Sequence, residues 1–286
     1  LTVKKGDGTV KDVTIVRDIV VIDEKFAKSL ILDGEIEGEK IGYLYLPSFY
    51  ADFENEDGRF CAPDVAKELE KLQAANVDGI ILDLRNNGGG SLRDVVKMSG
   101  FFIERGPIVQ VKSKGKKPEV LKDYNQNVNY DGPLIVMVNS GSASASEILA
   151  GALQDYNRAV IVGSTSTFGK GTVQRFVNLD RTVNGYEEYK PLGDIKLTMQ
   201  KFYRIDGSST QKKGVSSDIV LPDSYHFIKT GEREQKYPLN WDEIEPVEYS
   251  QNVMHVNNLD NLRKRSNQRV KDSEVFNKIL ENARRF

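Results

Sequence analysis

The chain has 286 residues, a formal net charge of −2 and 39% hydrophobic residues. This length gives room for one large domain with appended segments, and the apolar fraction is enough for a substantial core. A charge so close to zero gives no reason to expect nucleic acid or an anionic membrane surface as a partner. No apolar run approaches the roughly 20 residues that span a bilayer. Cys61 is the only cysteine, so an internal disulfide is excluded, and we interpret it as a small buried side chain.

Strands and helices are predicted to alternate along much of the chain. In order, the predicted strands are Leu1 to Lys5, Val13 to Ile22, Ile41 to Leu46, Ile80 to Leu84, Ile108 to Val111, Leu134 to Val138, Val160 to Val162 and Lys196 to Ile205. The predicted helices are Pro63 to Ala75, Ser91 to Ile103, Ala145 to Tyr156 and, after a charged linker, Glu274 to Phe286. Polar stretches at 113–131 and 180–190 indicate hairpins or loops. This order is typical of an α/β layered domain with a parallel sheet.

Residues 140–174 carry the main chemical signal. Small residues and serines follow an apolar strand, and a helix then begins at Ala145. A serine at such a strand-to-helix turn has backbone amides beside its hydroxyl, which suits an acyl-transfer nucleophile and its oxyanion. Ser144 occupies that position, although spacing alone does not separate it from Ser142 and Ser146.

Lysine is the predicted base, because histidine is nearly absent. The two histidines, His226 and His255, both lie in the polar C-terminal part. Burial can lower a lysine pKa from roughly 10.4 toward neutrality. Lys170 stands between two glycines after the next strand, and the carboxyl ends of parallel strands share one edge of a sheet. We therefore expect Lys170 to lie near Ser144.

Three other interpretations remain open at this stage. Ser144 and Glu147 match a helix capping box, which does not exclude catalysis. Lys170 also fits an ordinary solvated loop lysine. Residues 163–171 resemble a phosphate-binding loop, but five residues rather than four separate the glycines, and Gly171 stands where a magnesium-binding hydroxyl belongs.

A second glycine motif follows the buried strand that ends near Leu84. The run from Asn86 to Gly90 contains three consecutive glycines, which let backbone amides approach a substrate closely. These amides are candidate oxyanion donors, and a flexible turn is the simpler alternative. Since both small-residue turns follow apolar strands, we expect them to converge at one edge of the sheet.

Together these motifs resemble the C-terminal processing peptidases, also called tail-specific proteases. The likeness covers most of the chain from about Ile41 and is strongest to the bacterial periplasmic branch with an extra C-terminal helical region. Its motifs, in order, are LRNNGGG at 84–90, GSASASE at 141–147, Gln154 with Asp155, FGKGTVQ at 168–174, QKFY at 200–203, GSSTQKKGV at 207–215, DIVLP at 218–222 and LNWD at 239–242.

The resemblance implies a role for each matching residue. Ser144 would be the nucleophile, Lys170 the general base and Gln174 the residue that holds the lysine. Gly89 and Gly90, with the amide of Ala145, would form the oxyanion hole, and two further acidic residues that matter in the family match Glu147 and Asp155. No cofactor or metal is implied.

Two features qualify this assignment. The loop from Gly163 to Lys170 is one residue longer than is usual in the family, and we expect a surface loop to absorb this insertion at little energetic cost. Four residues of extended strand span about 13 Å. Residues 170–174 must therefore coil or turn if Gln174 is to reach Lys170.

The resemblance also implies a domain organisation. Residues 1–27 would be the end of a PDZ domain and linking strands, 28–226 the catalytic α/β domain and 227–286 a partly helical extension. The catalytic core would be the spiral ββα fold shared with crotonase and the Clp protease. The chain starts without Met or a signal peptide, and we expect it to be a fragment whose upstream part holds the signal sequence and most of the PDZ domain.

The expected function is that of a periplasmic or cell-envelope serine endopeptidase with a Ser-Lys dyad. Its partners would be polypeptides with apolar C-termini and an adaptor protein. The competing interpretation is a non-catalytic ligand-binding module of the same fold, against which the presence of both Ser144 and Lys170 argues. Acyl-CoA chemistry would want an adenine and phosphate site, for which the sequence shows no pattern.

Overall fold

The computed structural model describes residues 1–16, 23–52, 55, 58–250 and 253–285. Within them the strands are β1 Thr2–Lys4, β2 Val10–Asp12, β3 Lys28–Asp33, β4 Lys40–Tyr45, β5 Gly79–Asp83, β6 Gly106–Ser113, β7 Glu119–Asp123, β8 Leu134–Val138, β9 Val160–Gly163, β10 Thr172–Asn178, β11 Asp194–Tyr203 and β12 Ile219–Val220. The helices are α1 Cys61–Ala74, α2 Leu92–Ser99, α3 Ala145–Asp155, α4 Leu179–Thr182, α5 Leu259–Asp272 and α6 Glu274–Ala283. The predicted α/β class is confirmed.

The main sheet has six strands in the order β12-β9-β8-β5-β4-β3. All neighbouring pairs are parallel except β3 with β4. The loops after β5, β8 and β9 therefore leave the sheet at the same edge. These are the loops that carry the glycine run, the serine turn and Lys170.

The core lies on the inner face of this sheet. In β8 the side chains of Leu134, Val136 and Val138 are buried, while Ile135 between them is 36% exposed. This alternation is the period of two that a strand imposes on its side chains. Helix α1 covers the inner face through a buried stripe that includes Val65, Leu69 and Leu72, the face predicted from its sequence.

A second, antiparallel sheet has the order β10-β11-β6-β7. Strand β6 belongs to the core through Ile108, Val109 and Val111. Residues 113–131 contain β7, which pairs with β6 as a hairpin, in agreement with the prediction for this polar stretch. The connection at 180–190 lies between β10 and β11 and holds one short helical turn, α4, and a single 3₁₀ turn.

The largest differences from the predicted helices are at α5 and α2. The charged linker predicted before Glu274 was wrong, because helix α5 occupies it. Its apolar side chains Leu259 and Leu262 pack against Val160, Val162 and Ile219 at the sheet. A stripe this narrow among charged residues gives a weak periodic signal. Helix α2 ends at Ser99 rather than Ile103.

The first residues form a hairpin of β1 with β2. The strand predicted for Val13 to Ile22 is not found over residues 13–16, and residues 17–22 lie outside the described part of the chain. The partner of β1 is the earlier segment Val10–Asp12, because a turn closes at Gly8, whose amide donates to the Lys5 carbonyl at 2.9 Å. Strands β2, β3, β10 and β12 were not predicted.

Candidate active site

Ser144 stands at the turn between the loop after β8 and helix α3. Its backbone has φ 58° and ψ −111°. A positive φ is uncommon for a residue with a side chain and marks a strained turn. The turn places a partly exposed Ser144 side chain at the amino end of α3, where the first helical amides have no partners within the helix.

The structure separates the three candidate serines. Ser142 Oγ donates to the Leu84 carbonyl at 2.8 Å, and Ser146 Oγ donates to the Asn87 carbonyl at 2.8 Å. Both serines are fully buried. Their hydroxyls fasten the serine turn to the loop that carries the glycine run, which leaves Ser144 as the accessible hydroxyl of the three.

The two small-residue turns converge, as predicted. The Ala143 amide donates to the Asn87 carbonyl at 3.0 Å. Gly89 has φ 101°, and a Cβ atom on it would lie 2.8 Å from both the Ala143 oxygen and the Ser144 Cβ. Only glycine permits the run to approach Ser144 this closely.

The three predicted oxyanion donors are not equivalent. The Gly89 amide donates to the Asn87 side-chain oxygen at 2.9 Å. Gly90 lies between two bonds to Phe49, so its own amide points to the other side of the loop. In the described structure no hydrogen bond engages the amides of Gly90 and Ala145. The oxyanion hole remains a prediction, with Gly90 and Ala145 as its open amides.

Glu147 is fully buried and accepts four hydrogen bonds. One oxygen, Oε1, accepts from Thr167 Oγ1 and the Gly169 amide, both at 2.7 Å. The other, Oε2, accepts from the amides of Ser144 at 2.7 Å and Lys170 at 2.9 Å. The bond to Ser144 is the carboxylate half of the predicted capping box. Burial raises the pKa of Glu147 to about 7, and the four donors oppose that rise.

Lys170 comes to the same edge of the sheet as Ser144. Because one carboxylate oxygen binds both backbone nitrogens, at 2.7 Å and 2.9 Å, these nitrogens lie at most 5.6 Å apart, the sum of the two distances. The lysine side chain is half-buried, and no carboxylate forms an ion pair with it in the described part of the chain. Desolvation lowers its pKa first, and repulsion by Lys196 lowers it further. Both effects favour the neutral amine that a general base requires.

Gln174 is not brought to Lys170. It lies in the extended strand β10, and its side-chain amide donates to Thr198 Oγ1 on β11 at 3.4 Å. A bulge follows Val173, but the coil or turn needed for contact with the lysine is absent. The role of Gln174 in holding Lys170 therefore remains a prediction.

Asp155 lies at the other end of α3, about 15 Å along the helix axis from Ala145. Both of its oxygens accept from Arg204 Nε at 3.1 Å, and Arg204 also reaches Gln154. Burial raises the pKa of Asp155 to about 6, although the hydrogen bond and the charge of Arg204 oppose this. This buried ion pair fixes α3 to the segment that follows β11.

Sequence reasoning missed the contribution of Thr167. The loop from Ser164 to Thr167 was expected to be an exposed insertion, but both of these residues are nearly fully buried. Besides donating to Glu147, Thr167 Oγ1 accepts from the Val215 amide at 2.8 Å. The only sequence signal was that Thr167 lies three residues before Lys170. No sequence pattern shows that its hydroxyl donates to Glu147.

The geometry also decides against two alternatives. The amides of Gly169 and Lys170, which a phosphate loop would turn toward an anion, are already bound by Glu147. His255 lines a cavity with Ile41 and Ile135, at the amino ends of the strands and opposite the edge that carries Ser144. A nucleotide site on this loop is therefore disfavoured, and so is His255 as an alternative base for Ser144.

Two protein-family models match this chain. Peptidase family S41 matches residues 40–221, and the C-terminal domain of tail specific protease matches residues 225–286. The chain belongs to peptidase family S41. The resemblance inferred from the motifs is thereby confirmed.

Individual relatives agree with this assignment. The chain is 40% identical over 254 residues to a tail-specific protease of Haemophilus influenzae, which covers 89% of this chain and 34% of the relative. It is 40% identical over 223 residues to a carboxyl-terminal-processing protease of Picosynechococcus, covering 78% and 48%. The structure resembles the photosystem II D1 C-terminal processing protease with a TM-score of 0.56, 27% identity and coverage of 74% and 52%. The chain thus spans between a third and a half of the length of these curated relatives.

No helix in the described residues is both long enough and apolar enough to span a lipid bilayer.

The buried carboxylate makes stability depend on pH in a defined direction. The ordinary glutamate pKa is 4.5 and that of Glu147 is about 7, so the unfolded chain loses this proton at lower pH than the folded protein. The contribution of Glu147 to the free energy of unfolding should therefore fall, by on the order of 3 kcal/mol, as pH rises from about 4.5 to 7. Above that window the contribution should be constant.

Urea unfolding at pH 5 and pH 8 checks this expectation. The Ser144→Ala protein is compared with the same protein carrying Glu147→Gln, which cannot titrate. The advantage of glutamate over glutamine should be larger at pH 5 than at pH 8. Glu119→Gln, at an exposed site on β7, controls for the loss of a formal charge. An advantage that is equal at both pH values would contradict the assignment.

Proposed function

We propose that the full-length protein is a serine endopeptidase whose catalytic dyad is Ser144 and Lys170. The observation that carries this proposal is the Glu147 carboxylate, which binds the amides of both residues through one oxygen. This contact ties the nucleophile turn to the base loop. Membership of family S41 supports the same chemistry.

The proposed reaction is acyl transfer to the serine hydroxyl. Neutral Lys170 removes the Ser144 proton as Oγ attacks a peptide carbonyl, and the amides of Gly90 and Ala145 stabilise the oxyanion. The Lys170 ammonium then gives its proton to the leaving amine. Water, deprotonated by the lysine, attacks the acyl-enzyme and releases the second product and the free serine.

Other proposed roles rest on the family likeness. Gln174 holds Lys170, which requires the first residues of β10 to move, and Asp155 supports α3. The amide of Gly89 already donates to the Asn87 side chain, so it is not used as an oxyanion donor. The proposed role of Gly89 is to keep the glycine run close to Ser144.

The proposed domain boundaries follow the same likeness. Residues 28–226 form a catalytic domain with a spiral ββα core, after the end of a PDZ domain at 1–27 and before a helical extension at 227–286. The two family matches meet between residues 221 and 225, close to the second boundary. We further propose export to the periplasm or cell envelope and an adaptor protein as a partner. A non-catalytic ligand-binding module gains no support, because the curated relatives named above are called proteases.

The first prediction identifies the nucleophile. Ser144→Ala should abolish peptide hydrolysis in the full-length protein, because it removes the attacking oxygen and leaves the fold intact. Ser142→Ala and Ser146→Ala are matched controls: the first deletes the buried hydrogen bonds of Ser142 Oγ with the Leu84 carbonyl and the Asn139 amide, and the second deletes the one with the Asn87 carbonyl. They should lose stability, by about 1 to 3 kcal/mol, but keep measurable turnover. Activity in the Ser144 variant, measured with a fluorogenic peptide, would refute the assignment.

The second prediction separates base from charge at Lys170. Arginine keeps the positive charge but does not deprotonate at neutral pH, so Lys170→Arg should be as inactive as Lys170→Ala. In the wild-type protein the rate should rise with pH toward the lowered lysine pKa, since only the neutral amine accepts the proton. The pH profile of kcat/KM checks this. Near-normal hydrolysis by the arginine variant would show that the lysine acts only as a cation.

The third prediction concerns the proposed specificity. One unfolded protein is made with two C-termini, one ending in small apolar residues and one ending in charged residues. The full-length protein should cleave the apolar version with a kcat/KM at least about tenfold higher, because a second binding site raises the effective concentration at the active site. Equal rates for the two substrates would rule out recognition through the tail.

A further inference from the structure

Strand β10 is an edge strand that begins beside the proposed dyad. In the described structure it pairs only with β11. Edge strands that must not pair with other chains are commonly protected by charged side chains. Strand β7, at the opposite edge, has three charged residues among its five, whereas β10 has only Arg175 among its seven. The edge of β10 therefore lacks this protection.

The outward-facing backbone groups of β10 can be assigned. The Phe202 amide donates to the Gly171 carbonyl, and the Leu179 amide donates to the Gly193 carbonyl, both at 3.0 Å. In an antiparallel pair every second residue bonds to its neighbour, and the residues between point their N–H and C=O groups away. The odd-numbered residues from 171 to 179 thus point their backbone N–H and C=O groups toward β11.

The bulge does not disturb this alternation. The register passes from Val173 opposite Gln200 to Gln174 opposite Thr198, so the extra residue lies on β11. Gln174 and Phe176 therefore turn their backbone N–H and C=O groups toward the open edge.

The open part of this edge starts close to the dyad. Lys170 is two residues before β10, and Thr172 is buried, but Gln174, Arg175 and Phe176 are exposed, Phe176 by 73%. Lys196, which stands opposite Phe176, is one of the charges that act on Lys170. The antiparallel pair of β10 and β11 thus extends outward from the proposed dyad, while Lys196 on β11 remains near Lys170.

We propose that an extended polypeptide substrate adds to the edge of β10 as a further strand and bonds to the backbone of Phe176. This inference rests on the proposed function and names how that site holds its substrate. Strand addition uses main-chain groups for affinity. It accepts many sequences but requires an unfolded segment, which would guide a scissile bond toward Ser144.

A matched pair of variants at Phe176 tests the proposal in the full-length protein. Phe176→Pro removes the outward N–H, and proline is tolerated where an edge N–H faces solvent. Phe176→Val removes the ring but keeps the N–H. The proline variant should raise KM for an unstructured peptide about tenfold over the valine variant, the equivalent of about 1.4 kcal/mol, with kcat nearly unchanged. Equal KM values for the two variants would overturn the proposal.

N-methylation of the peptide provides a second test that leaves the protein unaltered. Each backbone N–H of the substrate is methylated in turn. KM should rise at every second position along one side of the scissile bond, because only alternate amides of an added strand face β10. A uniform effect, or none, would refute strand addition.

Two controls distinguish strand addition from damage to the active site and from self-association. Fluorophosphonate labelling of Ser144 should be equal in the wild-type and both Phe176 variants, since the reagent does not need the edge. Absence of labelling in the wild-type protein would instead count against the proposed function. If Phe176→Pro converts a dimer into a monomer in size-exclusion chromatography with KM unchanged, the edge pairs with a second copy of the chain and the substrate proposal is wrong.

Discussion

The arrangement of the candidate site depends on the buried carboxylate of Glu147. Its two oxygens collect four donors from two separate loops, the serine turn and the segment from Thr167 to Lys170. A buried carboxylate strongly destabilises the folded protein unless its oxygens accept hydrogen bonds. Movement of either loop away from Glu147 would remove at least one of its donors and so lower the stability. The raised pKa of Glu147 shows that burial outweighs the donors even in the complete network. The network therefore holds the two loops together at a continuing energetic cost.

Close approach of backbone segments is the second constraint. Gly89 lies where a side chain would collide with the Ser144 Cβ, and Ser144 itself takes a φ that residues with side chains seldom adopt. Strain of this kind persists only where surrounding contacts fix it. Here those contacts include the hydroxyls of Ser142 and Ser146, which bond to the backbone leading into the glycine run. The serines on either side of Ser144 are thus structural, and their hydrogen bonds hold its turn in place.

The two sheets have different roles at the candidate site. The parallel sheet brings three loops to one edge and holds them rigidly through its buried inner face. The antiparallel pair of β10 and β11 starts at the same place but extends into solvent, and within the described residues no strand pairs with the other side of β10. The proposed dyad beside an open strand edge suits chemistry on an extended chain, because backbone pairing tolerates different side chains.

The sequence by itself determined the α/β class, the turns at Ser144 and the glycine run, and the likeness to a peptidase family, because these depend on local periodicity, glycine placement and motif order. It also predicted Lys170 at the shared edge, since parallel strands require their loops to meet. Tertiary structure decided which of the three serine hydroxyls is accessible, because Ser142 and Ser146 are buried against backbone carbonyls of a distant segment whereas Ser144 is not. It also decided that Glu147 joins the Ser144 turn to the Lys170 loop and that Thr167 is buried. In the same way it decided that Gln174 lies in a strand and that residues 259–272 form a helix. Each of these depends on contacts between residues far apart in the chain, which no local pattern encodes.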